Sequence, residues 1–125
     1  MKAIVERRRA AATAGRIEME RCTACDTLQA APRETCAACG AAALVPAVLS
    51  GRGHVAAITT VHRAPTPDYR PLVPYAIALV DLAEGGRMMG HAAPGLAVGD
   101  AVTARTHTVG ERPLALFEPA GDTDR

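Results

Sequence analysis

All four cysteines of this chain fall within one short stretch, as two C-x2-C pairs: Cys22 and Cys25, then Cys36 and Cys39. No other feature constrains the fold as strongly. Each pair turns two thiols toward one point, and two such turns on facing hairpin arms bring four sulfurs to a single ion. Four soft thiolates in a tetrahedron are the ligand set of a structural Zn2+. The spacing fits a zinc ribbon, with a gap between the pairs that is a little short. A rubredoxin-like iron site and a disulfide framework are the alternatives; a redox dithiol leaves the second pair unexplained. Four protein ligands close the coordination sphere, so a metal here has no position for water and a structural role.

The flanking residues agree. In such a knuckle the residue after the second cysteine takes φ > 0, which favours glycine. Gly40 stands there in the second pair, and Asp26, one of the few other residues that visit this region, stands there in the first. Arg21 and Arg33 are placed to offset the double negative charge that four thiolates leave on one Zn2+.

With 125 residues there is room for one ordinary domain, or a small one beside a metal-held module. A ribbon this short cannot build its own core, so metal binding is its folding energy. The net charge of +1, from 14 basic and 13 acidic residues, exerts no general pull on polyanions. An apolar run long enough for a transmembrane helix is missing. The charged first residues precede no apolar stretch, so no secretory signal is expected, and the expected setting is the cytoplasm.

The chain reads as mainly β. Residues 1–15 form an N-terminal helix of good helix formers, closed by Gly15. Residues 16–48 form the rubredoxin-like zinc ribbon, with alternation over 16–21 leading into the first knuckle. Residues 49–118 form a five-stranded barrel of the oligonucleotide/oligosaccharide-binding (OB) type. In it, Ser50-Gly51-Arg52-Gly53 marks a bend in a long first strand. A proline-dense loop covers 63–74, and strands follow at 75–82, 87–92, 101–108 and 114–118. Residues 119–125 read as a frayed tail.

In this order and spacing the motifs resemble a known family, the zinc-ribbon/OB-fold acyl-CoA-associated proteins, long catalogued as a domain of unknown function. The resemblance covers about residues 2–118. It rests on Gly15-Arg16, Arg21-Cys22 through Cys25, Pro32-Arg33, Cys36 through Cys39-Gly40 and Ser50-Gly51-Arg52-Gly53. It continues through Thr60-Val61-His62, Pro74-Tyr75, Val80 through Leu82 with Glu84-Gly85, and Gly99-Asp100-Ala101-Val102. It implies a non-catalytic subunit that pairs with a thiolase-fold enzyme, or with an aldolase or hydratase acting on CoA thioesters, and meets acyl-CoA at a shared site. Asp26 departs from the family's glycine, and Ala31 from the aromatic often found before Pro32-Arg33.

Outside the cysteines, the candidate residues are weighed one by one. Arg7, Arg8 and Arg9 form either a solvated helix face or a docking contact for a partner. His62 lies where a barrel strand meets the proline loop, and serves either a structural hydrogen bond or a ligand surface. Tyr75 either caps the core with its hydroxyl outward or lines an acyl or pantetheine channel. Arg63 and Arg70 flank the loop, as solvated charge or as partners of CoA phosphates. His54, His91 and His107 read as plain strand or surface residues. Of Met88 and Met89, at least one belongs to the core and the other marks a sticky surface.

Two function classes follow. The first is an accessory subunit that shapes and stabilises the acyl-CoA site of a partner enzyme. The second is an OB-fold nucleic-acid-binding module, but that needs aromatic platforms in a positive groove. Three aromatics, Tyr69, Tyr75 and Phe117, and a net charge near zero argue against it. A free-standing enzyme lacks a nucleophile–base pairing beyond the metal cysteines.

Overall fold

A computed structural model of the chain describes residues 1–120. The helix α1 spans Lys2–Thr13, and Gly15 (φ +86°) ends it. Its one buried residue is Ala11. A helix this short with so little apolar surface is marginal alone and depends on what it docks against.

Three short strands make the ribbon sheet: β1 (Ile17–Cys22), β2 (Leu28–Gln29) and β3 (Leu44–Leu49), in the order β2-β1-β3. Both pairings are antiparallel, and Glu20 lies opposite Gln29 on one side and Pro46 on the other. The proline is tolerated because β3 is an edge strand.

The second sheet closes on itself. It contains β4 (Arg52–Val61), β5 (Tyr75–Leu82), β6 (Arg87–Ala92), β7 (Ala101–Val109) and β8 (Arg112–Pro119), in the closed order β4-β5-β6-β8-β7. This is the five-stranded OB barrel expected from the strand count. β7 and β8 run one to two residues past the ends or starts read from the sequence. The bend in β4 has two parts. A Cβ on Gly53 would lie 2.3 Å from the Asp81 carbonyl oxygen and 2.7 Å from Val80 Cγ1, so only glycine fits where β4 crosses β5. The register shift itself falls between Val55 and Ala57. The proline-dense loop contains one 3-10 turn, Pro67–Tyr69.

Alternation along β5 sends Ala78, Val80 and Leu82 inward. With Val55, Val102 and Phe117 they fill the barrel, and Phe117 is its one aromatic. Burying a side chain of that size contributes about 1.5–3 kcal/mol. The same core takes Met19 and Leu49 from the ribbon sheet, so ribbon and barrel share one apolar interior. The junction is also tied by a polar contact: Glu84 Oε2 accepts the N–H of Ser50, just past β3 (2.8 Å). Met88 packs against the core while Met89 stays exposed, as the paired methionines predict.

The tail expectation shifts. Pro119 closes β8, and Ala120 is buried with its N–H bonded to Ala101 O. The rest of that expectation concerns 121–125, outside the described residues. No helix among the described residues is long and apolar enough to cross a membrane.

Candidate metal centre and an aromatic face

The two knuckles repeat one hydrogen-bond pattern. Asp26 N–H bonds to Cys22 O (2.8 Å), and Gly40 N–H bonds to Cys36 O (2.9 Å). The Cys22 N–H then reaches Thr27 O, and the Cys36 N–H reaches Ala41 O, both at 2.9 Å. Each turn needs a left-handed residue after its second cysteine, and Asp26 (φ +69°) and Gly40 (φ +78°) supply it. Asp26 thus does the glycine's work in the first knuckle. Arg21 donates to Asp26 O, and Arg33 to Thr35 O, so both arginines bind at the knuckles where charge compensation was expected.

These turns bring the sulfurs of Cys22, Cys25, Cys36 and Cys39 within 4.8 Å of one another. Cys22 to Cys39 and Cys25 to Cys36 are both 3.6 Å. A tetrahedron with zinc–sulfur bonds of about 2.3 Å has sulfur–sulfur edges of about 3.8 Å, so the set fits one Zn2+. A disulfide needs sulfurs about 2.05 Å apart, and all four cysteines are free. Cys22 and Cys36 are buried and Cys25 and Cys39 exposed.

Without a cation the four sulfurs share protons unequally. The Cys39 N–H, with help from Ala38 N–H, pulls Cys36 down to about 6. The Ala41 N–H favours the Cys39 thiolate, but contacts with Cys25 and Cys22 outweigh it and push Cys39 up to about 11. Four clustered thiols cannot all ionise alone, and a metal that takes all four displaces their protons.

Around the sulfurs lies a polar shell absent from the sequence reading. Gln29 is 2% exposed. Its Nε2 donates to Cys36 Sγ (3.3 Å) and to Thr27 O (3.0 Å), and its Oε1 accepts the Ala37 N–H (3.0 Å). Behind it, Glu20 is 1% exposed and pairs with Arg8. Arg8 Nε lies 3.0 and 3.2 Å from the two Glu20 oxygens, Nη2 reaches Glu20 Oε1 as well, and the fork also donates to Gln29 O and Ala30 O. This alters the arginine-face expectation. Arg8 turns inward and is occupied by internal partners; exposed Arg7 pairs with Glu18 and also reaches Glu20 (3.8 Å), and exposed Arg9 reaches Glu111 O.

The second feature is on the outside of the barrel. Tyr75, His91 and His107 lie on β5, β6 and β7, and Tyr69 comes from the 3-10 turn. Ring centroids are 5.3 Å apart for Tyr69–Tyr75, 5.1 Å for Tyr75–His91 and 5.1 Å for His91–His107. Burial, and then the neighbouring His107, lower the His91 pKa; burial, and then Arg105, lower that of His107. Two of the chain's three aromatics are therefore on this face rather than in the core.

The structure gathers the other candidates at the same end of the barrel. Val61 pairs with Tyr75, so His62 begins just beyond that pair, and Arg70 follows Tyr69. His62, Arg63 and Arg70 are exposed and Tyr75 half-buried. His54 remains an exposed strand residue, as read. His91 and His107 depart from the plain strand or surface role expected of them, because their rings meet each other and that of His91 meets Tyr75. The turn at 84–86 held the missing signal: it sets Ile77 opposite His91, which puts His91 on the outward phase beside Tyr75.

Two family models match the chain: the rubredoxin-like zinc ribbon domain of ChsH2 over residues 9–45, and the C-terminal OB-fold domain of ChsH2 over residues 47–107. A chain of the solved Ltp2-ChsH2(DUF35) aldolase is 30% identical, with a TM-score of 0.79 over 93% of this chain and 94% of that one. A DUF35-family protein of unknown function from Sulfolobus solfataricus, at 14% identity and a TM-score of 0.63, shares the fold. A Thermomonospora curvata protein named as a probable enoyl-CoA hydratase alpha subunit is 35% identical over 79 residues. A Methanocaldococcus jannaschii DUF35 domain-containing scaffold protein is 38% identical over 71 residues. Those two matches take in 24% and 50% of the relatives' own lengths. Four convergent sulfurs, a closed OB barrel, two ChsH2 domain models in order and a match over 93% of the chain to a chain of the Ltp2-ChsH2(DUF35) aldolase place this protein in the ChsH2 (DUF35) family of zinc-ribbon/OB-fold proteins.

Proposed function

We propose that the chain is a non-catalytic accessory subunit that docks on an acyl-CoA enzyme of thiolase fold and helps form or gate its CoA-thioester site. One observation carries the accessory role: nearly the whole chain matches a polypeptide of a structure named as an aldolase, while a second relative is named a scaffold. The thiolase fold of the partner rests on the family resemblance, and an aldolase is the alternative. The outward aromatic face supports it. A chain with three aromatics that keeps two of them outside the core, beside His91 and His107, has the composition of a contact surface. In this reading residues 1–15 dock, residues 16–48 hold the Zn2+, and residues 49–118 present His62, Arg63, Arg70 and Tyr75 toward the shared acyl-CoA site. Arg7 and Arg9 of α1 supply the docking charge. The reacting groups belong to the partner.

A hydratase partner is the second reading, favoured by the name of the Thermomonospora curvata relative. Co-expression with the products of neighbouring reading frames separates the two. A thiolase-type partner co-elutes on size exclusion and cleaves or forms a carbon–carbon bond in a CoA thioester only when this chain is present. A hydratase partner instead adds water to an enoyl-CoA. Tyr75→Ala should lower turnover while zinc content holds. Full activity of the neighbour alone, without co-elution, overturns the accessory role.

A further inference from the structure

The metal centre and the helix α1 are joined by one continuous set of contacts, and the join is Gln29. On one side its amide meets Cys36 Sγ and Ala37 N–H. The orientation of that amide is determined by its neighbours. Thr27 O can only accept and Ala37 N–H can only donate, so Nε2 must face Thr27 and the cysteine sulfur. An amide N–H aimed at a metal-bound thiolate is a charge-assisted contact. On the other side, the carbonyls of Gln29 and Ala30 take the two Nη groups of Arg8.

Apart from Leu28, which packs on the shared core and against Gly86, this segment has few backbone ties. β2 is two residues long and pairs with β1 at only two positions. α1 in turn buries only Ala11 and inserts Arg8 against a Glu20 that is 1% exposed. If the carbonyls at 29 and 30 move, Arg8 loses two of its acceptors while Glu20 stays buried.

We propose that Gln29 is a metal-positioning residue that couples zinc occupancy to the docking of α1, so that Arg7 and Arg9, on either side of the inward Arg8, are set in place only in the metal-loaded protein. The coupling is reciprocal: whatever zinc adds to helix docking, docking adds to zinc affinity. The inference concerns the chain alone and holds whatever enzyme the chain serves.

The test uses the full chain and three readouts: zinc release to a chromophoric chelator, the Co2+ charge-transfer spectrum, and amide exchange over residues 2–13. Gln29→Met keeps the side-chain volume and removes all three amide contacts. Zinc affinity should fall about 10–100-fold, the range for lost outer-shell partners. In Gln29→Met loaded with excess zinc, exchange over 2–13 should rise while β5 and β8 stay protected. Arg8→Met, which touches no sulfur, should weaken zinc as well, by about the factor with which zinc protects α1. If metal removal unfolds the whole chain, Arg8→Met in the loaded protein still reports the coupling. Zinc affinity within twofold of wild type in both variants overturns the proposal, as does unchanged α1 exchange in zinc-free protein whose barrel remains folded.

Discussion

The side of the ribbon toward α1 and the knuckles is opposite in character to the inside of the barrel. Between α1 and the knuckles the buried groups besides Ala11 are Cys22, Cys36, Glu20 and Gln29: two thiols, a carboxylate and an amide. Inside the barrel they are Val55, Ala78, Val80, Leu82, Val102 and Phe117. Apolar burial stabilises without regard to direction, and a small barrel can be filled by residues of the right size. A buried carboxylate or amide stabilises only while every partner is in place, and losing one partner of a buried ion pair costs about 3–5 kcal/mol. The polar half therefore depends on its metal and on geometry, and the apolar half on volume. The shared residues Met19 and Leu49 are where the two schemes meet.

Removing a zinc ligand should produce the largest effect and test whether the halves are separable. Structural zinc in small modules contributes about 10–16 kcal/mol of apparent binding energy at neutral pH. Cys36→Ser should abolish the one zinc per chain seen by elemental analysis and release amide protection across α1, β1 and β2. β5 and β8 should remain protected. Loss of protection in all strands at once would make the protein a single cooperative unit and break the comparison.

The barrel counterpart is Phe117→Ala. Phe117 is fully buried, and a Cβ on Gly90 would come 2.7 Å from its ring, so the site is tightly enclosed. The cavity should cost about 3–5 kcal/mol. The urea midpoint should fall by the corresponding amount with zinc stoichiometry unchanged. Zinc loss in Phe117→Ala would mean that the shared core matters more to the knuckles than their own turns.

How far these features could be read in advance differs between the halves. The ligand set, both left-handed knuckle residues and the hairpin from Tyr75 to Ala92 were legible, because each rests on spacing or alternation within a few residues. The polar shell was not. Gln29 and Glu20 are ordinary strand letters until the β1–β2 register sets them side by side and α1 lowers Arg8 onto them. His91 was within reach of hairpin register, but His107 was not, since it arrives from β7.

The smallest effect sharpens the contrast from outside the barrel. The folded pKa values of His91 and His107 lie below the ordinary 6.5 because burial disfavours their charged forms, with His107 and Arg105 adding like-charge repulsion. The unfolded chain then binds more protons than the folded one. The barrel is stablest above about pH 6.5 and loses stability as the pH falls through and below it. Thermal melts at pH 7.5 and 5.5 should differ by less in His91→Gln/His107→Gln than in wild type. The comparison between variants cancels the separate loss of zinc on acidification. Equal pH dependence would show that the two histidines are solvated.

Four thiols at two-residue spacing, the turn chemistry after each pair and the alternating β pattern were determined by sequence alone, since bond geometry and side-chain period act locally. Tertiary structure decided which arginine turns inward, which amide faces a sulfur and which rings meet outside the barrel. The arginine contacts join residues 12 and 21 positions apart, and even the amide–sulfur contact, between residues 7 apart, needs strand register and both knuckles in place. A hydrogen bond or ring contact exists only within a few ångströms, so no local pattern can encode it.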